Sequence, residues 1–136
     1  MPYEILSHTA DTGIEATGAG LAELIDELAK GMFALIATVD PCPAPRRIDV
    51  EVSAATPEDL VVDLLSDLLY ESEIEDVMPC DFSTTMLGAT HARVTAGGAP
   101  LSDVETTGPP IKAVTYHDLT VEERDDHWFG RVYFDV

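Results

Sequence analysis

The chain has 136 residues and a mass of 14.7 kDa, enough for one domain with a real core and too little for two ordinary ones. Asp and Glu number 26 against 7 Lys and Arg, a net charge of −19, and so few cations argue against a protein that wraps nucleic acid by its phosphates. The longest unbroken apolar run, Met32 to Ala37, is six residues, far below the roughly 20 of a membrane span. The opening residues also lack the basic start and apolar stretch of a secretion signal, so a cytoplasmic protein is expected.

Hydrophobic residues make up 46% of the chain, which argues for a folded core with its carboxylates outside. Such a surface repels itself at low salt, whereas molar salt shortens the Debye length to about 3 Å. Scarce Lys with abundant Asp, Glu, Thr and Ala suggests a salt-rich cytoplasm and a halophile-like protein. Cys42 lies in a Pro-rich turn and Cys80 follows another Pro, without the paired spacing of a zinc site. In a reducing cytosol two free thiols are expected, with a disulfide as the alternative.

In chain order, Tyr3 to Leu6 reads as a short strand and Ser7 to Gly13 as a polar turn. Ile14 to Thr17 is a second strand, closed by Gly18. Leu21, Leu24, Ile25, Leu28, Met32, Leu35 and Ile36 recur at spacings of three and four, the mark of an amphipathic helix. Gly31 within it costs about 1 kcal/mol of propensity relative to Ala, a cost that a close approach to a strand would explain. The Pro-rich stretch from Asp40 to Arg47 ends the helix. Ile48, Val50 and Val52 then alternate with polar residues as a half-buried strand.

Thr56-Pro57-Glu58-Asp59 is a helix start, with Thr as N-cap and Pro at the first helical position. That helix runs to about Glu73, with Leu60, Val61, Leu64, Leu65, Leu68 and Leu69 facing the core. Strands follow at 80–87 and 90–95, then a loop from Gly97 to Pro110. Further strands are read at 111–117, 119–123 and 128–134, the last two joined by a turn at Asp125-Asp126-His127. The order is ββαβα followed by about five strands. Two greasy helix faces need a partner, so a single α+β domain over residues 1–136 is expected, its two amphipathic helices packed on a mixed or antiparallel sheet.

Four places carry candidate chemistry. Ser7-His8-Thr9-Ala10-Asp11 sets a His, hydroxyls and a carboxylate in one polar stretch, which equally suits an Asx- or ST-type turn. Asp135 lies at the end of the last strand beside Val136, whose terminal carboxylate would repel it unless a cation intervenes. With Asp11 these make a set of hard oxygens suited to Ca²⁺ or Mg²⁺ rather than zinc or copper. Lys112-Ala113-Val114-Thr115-Tyr116-His117 places Val114 and Tyr116 on one face, Tyr116 as core with its hydroxyl at the rim, and Thr115 and His117 on the other. Arg46-Arg47 is a small basic spot whose simplest role is to balance nearby acids. Neither a glycine-rich phosphate loop nor a nucleophile elbow is present.

Taken together, Tyr3-Glu4, His8-Thr9-Ala10-Asp11, Gly13, Lys112 to His117 and the ending Val132-Tyr133-Phe134-Asp135-Val136 resemble the archease family, in the family's order and across the whole chain. Pro57 to Leu60 and Leu64 to Tyr70 are similar to its second helix. The resemblance implies a protein cofactor rather than a free-standing enzyme: a transient partner of the GTP-dependent, RtcB-type 3′-phosphate RNA ligase of tRNA splicing. It would promote the ligase's guanylylation and multiple turnover. It implies a divalent cation, commonly Ca²⁺ with Mg²⁺ or Mn²⁺ as alternatives, held by Asp11, Asp135 and Val136. His8, Thr9, Lys112, Tyr116 and His117 would support that site or the interface. Many relatives carry an acid directly before the His, where this chain has Ser7. A monomer with neither stable nucleic-acid binding nor membrane attachment is expected. The alternatives are a chaperone or modulator of other RNA-processing enzymes such as methyltransferases, and a metal-dependent hydrolase using Asp11 and Asp135 with His8 or His117 as base.

Overall fold

The computed structural model describes residues 3–7 and 12–136. Its elements are β1 (Glu4–Ser7), β2 (Thr12–Gly18), α1 (Leu21–Ala34), β3 (Arg46–Ser53), α2 (Pro57–Ile74), β4 (Val77–Gly88), β5 (His91–Pro100), β6 (Ala113–Val114), β7 (Thr120–Arg124) and β8 (His127–Asp135). The expected order and class therefore hold, with five strands after the second helix. All pairings are antiparallel, and the strands divide into two sheets. One runs β1-β2-β8-β6 with β7 also on β8; the other runs β3-β5-β4.

Both helices pack against both sheets. α1 lies on β2 and β8 from one sheet and on β4 from the other, and α2 lies on β3, β4 and β5 as well as β6 and β7. This explains why Leu24, Ile25, Leu28, Ala29 and Met32 are all essentially inaccessible: α1 has apolar neighbours on two sides. Gly31 serves the close approach its position suggests. A Cβ there would lie 2.9 Å from the Tyr3 ring and 3.1 Å from Ile14 Cδ1. Gly130 of β8 does the same against Leu24 and Leu28. Phe33 stacks on Phe82 at 5.7 Å between centroids and ties α1 to β4.

α2 begins as its sequence dictates. Thr56 Oγ1 accepts from the Asp59 N–H at 3.1 Å, and Pro57 opens the helix. Leu60, Val61, Leu64, Leu65 and Leu68 form its buried face.

Five expectations need correction. Gly97 and Gly98 are not loop but strand, because β5 continues to Pro100. A bulge between Pro79 and Asp81 brings β4 so near that a Cβ on Gly98 would lie 2.0 Å from the Met78 carbonyl oxygen. The glycine serves proximity here, not a turn. Cys42 and Cys80 are not free thiols. They form a disulfide across 38 residues, with Cα atoms 5.8 Å apart, tying the 41–45 segment to the bulge. The strand expected at 111–117 pairs only at Ala113–Val114, since Asp118, with φ of 48°, turns the chain away after Thr115 binds the edge of β8. Tyr116 is not core; it is 57% exposed. The polar turn from Ser7 to Gly13 is narrower than its sequence suggests, for β1 includes Ser7 and β2 starts at Thr12.

Candidate site at the end of the last strand

β8 sits inside its sheet, with β2 on one edge and β7 and β6 in succession along the other. Its C-terminal end is therefore bracketed. Thr12, the first residue of β2, pairs with Phe134, while Ala113 of β6 pairs with Asp135. The Lys112 N–H donates to the Asp135 carbonyl at 2.7 Å. The Thr115 N–H and hydroxyl both donate to the Tyr133 carbonyl, at 3.0 and 2.9 Å. Strand alternation puts Tyr133 and Asp135 on one face, away from the core occupied by Val132 and Phe134.

On that outer face Tyr133 is nonetheless buried. Its ring covers Gly13, its cross-strand partner, so closely that a Cβ there would lie 2.6 Å from Tyr133 Cδ1 and Cε1. The His117 ring meets Tyr133 edge-on at 5.9 Å between centroids. The His117 N–H donates to Thr115 Oγ1 at 3.3 Å, and its Nε2 lies 3.5 Å from Asp118 Oδ2. Thr115 and His117 thus share the face expected of them.

Tyr116 points the opposite way and donates its hydroxyl to Asp59 Oδ1 at 2.7 Å, at the start of α2. That carboxylate, by accepting the phenolic proton, holds the Tyr116 hydroxyl above the ordinary tyrosine range. Lys112 donates through its backbone to Asp135 and also lines a groove against α2. Asp135 and Val136 are exposed. Arg46 and Arg47 balance acids as expected, pairing with Asp76 at 2.9 Å and Asp49 at 3.4 Å.

His8, Thr9 and Asp11 lie outside the described residues. Among the described residues no group of three or more His, Cys, Asp or Glu side chains is placed to hold a metal. The described members of the expected set, Asp135 and Val136, are exposed hard oxygen donors at a strand end. Their chemistry fits Ca²⁺, Mg²⁺ or Mn²⁺, and it lacks the thiolates and imidazoles that favour zinc. Sequence reasoning overlooked the Tyr133–Gly13 contact. The available signal was a glycine inside a strand, which marks a close approach as often as a bend.

A family model described as the Archease protein family (MTH1598/TM1083) matches residues 3–136. The chain belongs to the archease family. The Pyrococcus furiosus protein archease is 31% identical over 139 residues, covering 98% of each chain. The Methanopyrus kandleri protein archease is 29% identical over 140 residues, covering 100% of both. The fold is shared with the solution structure of Methanobacterium thermoautotrophicum protein 1598, at a TM-score of 0.82 and 24% identity over 98% of each chain. The archease match spans both strands that bracket β8, so the Gly13–Tyr133 contact and the Lys112–His117 segment fall within it.

Proposed function

We propose that this chain is a non-enzymatic activator of an RtcB-type RNA ligase, acting through carboxylates gathered at the end of β8. The supporting observation is the register of β2 on β8. Thr12 is opposite Phe134, so the start of β2 and the end of β8 meet at one end of the strand pair; in sequence Asp11 directly precedes Thr12 and Asp135 directly follows Phe134. With Val136 they would supply hard, anionic oxygens for a divalent cation, Ca²⁺ foremost, with Mg²⁺ or Mn²⁺ as alternatives. His8, Thr9, Lys112, Tyr116 and His117 would frame that site. The Tyr133–Gly13–His117 packing keeps the outer face of the strand end in one shape, and Lys112 and Thr115 fix the β8 backbone from its other edge.

In this reading the protein works in the cytoplasm, as a monomer, in a transient complex. Its acidic surface, selected for high salt, does not grip RNA. It presents carboxylates to the ligase's nucleotide pocket and binds the guanylylation-ready ligase more tightly than the spent one, which shifts the ligase toward the competent state. The test is guanylylation of the cognate ligase by GTP, with and without this chain, in concentrated salt. Faster guanylylation and repeated turnover are the expected result. An unchanged rate and a single turnover would refute the assignment.

A further inference from the structure

A second surface lies on α2, beyond β6 from the carboxylate end. Two adjoining hollows share Leu69, Glu73 and Ile111 as a common wall. The first continues over Tyr70 to Val114; the second, about 240 Å³, runs down to Met78 and Leu101. Beside them, Tyr70 is 64% exposed and Ile74 60% exposed, one helical turn apart. These are the two most exposed large hydrophobic side chains among the described residues. A surface dominated by carboxylates has no need of them for solubility or for its core.

The charge that α2 brings to this groove is of one sign, although Lys112 also lines it. Every charged residue of α2 is acidic, and its last turn carries no basic residue. Glu71 and Glu73 therefore stand at the negative end of the helix dipole, where acids oppose it. Asp63 and Asp67 crowd each other one turn apart, and the Asp67 carboxyl is pushed above its ordinary range, chiefly by burial and then by Asp63. High salt accounts for acids spread over a surface. It does not account for an apolar groove and two exposed anchors set among them.

We infer that the α2 groove docks a basic amphipathic segment of a protein partner, whose apolar side chains enter beside Leu69, Tyr70 and Ile111 while its Lys and Arg meet the acids of α2. Helix-in-groove recognition has this form: anchors at i, i+3 and i+7 give the affinity, and flanking charge gives the register. The groove adjoins the carboxylate end, since Ala113 lines it and pairs with Asp135 and Lys112 lines it and donates its N–H to the Asp135 carbonyl, so an Asp135 variant is needed to tell binding in the groove from binding at the strand end.

The probe is a synthetic helical peptide of about 18 residues, with Leu and Phe at those spacings and Lys and Arg elsewhere. Two control peptides replace its apolar residues with Ser or its cations with Glu. Binding to the full chain is followed by fluorescence anisotropy and by amide chemical-shift mapping. The first peptide is expected to bind saturably and to shift Leu69, Tyr70, Glu73 and Ile111. The double variant Tyr70→Ser/Ile74→Ser should weaken it at least tenfold, and Glu73→Lys should weaken it severalfold. Asp135→Asn should leave it unchanged. Failure of the first peptide to bind overturns the inference, as does equal binding of the Ser control or shifts scattered over the acidic surface. A dimer seen by sedimentation and lost in the double variant would give the groove to a second copy of the chain, and would equally overturn it.

Discussion

Tyr133 lies over Gly13 across the β2–β8 pair, with no room for a Cβ between ring and backbone. A ring held flat on a glycine hides backbone that the sheet's outer face would otherwise expose, and here it also gives His117 an edge to pack on. Gly13→Ala must push the ring aside. A destabilisation of about 1–3 kcal/mol is expected, the usual range for overpacking a closed contact. Denaturant unfolding at fixed salt measures it, and the near-ultraviolet tyrosine signal should change with it. An unaltered midpoint would mean that the ring yields freely.

Asp26 has an unusual position for an acid in so acidic a chain. It is half-buried against β4 and accepts the Thr84 hydroxyl at 2.6 Å. Burial pushes its carboxyl above the ordinary range, and the Thr84 bond offsets only part of that. A folded-state value above the unfolded one means that the native state holds this proton more tightly. Asp26 thus costs stability progressively as pH rises from the ordinary carboxylate range through its raised value, and at lower pH it costs nothing. Asp26→Asn keeps an acceptor for Thr84 and removes the charge. The variant should be more stable at neutral pH, by under about 1 kcal/mol, with the gap closing on acidification. Paired thermal melts across pH check this, and a gap that widens on acidification would reverse the assignment. Asp49 and Glu51 act oppositely. The Thr95 hydroxyl, then Arg47, lowers the first, and His91, then Arg93, lowers the second, so both favour the folded state above the ordinary carboxylate range, and that contribution is lost as pH falls through their lowered values.

The Cys42–Cys80 bond closes a loop across 38 residues. A cross-link of that span is worth about 3–4 kcal/mol of unfolded-state entropy. Cys42→Ser/Cys80→Ser, or reduction by a dithiol, should lower the melting temperature by several degrees, while the β2–β8 end, on the other sheet, keeps its amide shifts. Equal melting of oxidised and reduced protein would show that the bond does not form in solution.

Much of the fold was legible from periodicity. The α1 and α2 spacings, the Thr56-Pro57 start and the alternation from Ile48 to Val52 each reflect burial on one face, a local property that sequence carries directly. What was not legible depends on contacts distant in the chain. Gly97 and Gly98 resemble a turn until the β4 bulge is known to lie against them. Cys42 and Cys80 show no spacing that announces their pairing, because the bulge and the Pro-rich segment meet only in the folded chain. The strand signal at 111–117 was genuine in its alternation but was cut short by Asp118. Of the candidate site, Asp135, Lys112, Thr115 and His117 do converge on the end of β8, whereas the role of Tyr133 depended on which glycine faced it.

The measurement that bears most directly on the central claim is multiple-turnover ligation by the cognate ligase in the presence of the wild-type chain, Asp11→Asn or Asp135→Asn. Calcium titration and unfolding curves on the same samples establish cation binding and an intact fold. The wild-type chain is expected to sustain turnover and bind calcium, while both variants stay folded, lose calcium affinity at least tenfold and leave the ligase at a single round. Full stimulation by either folded variant would contradict the account.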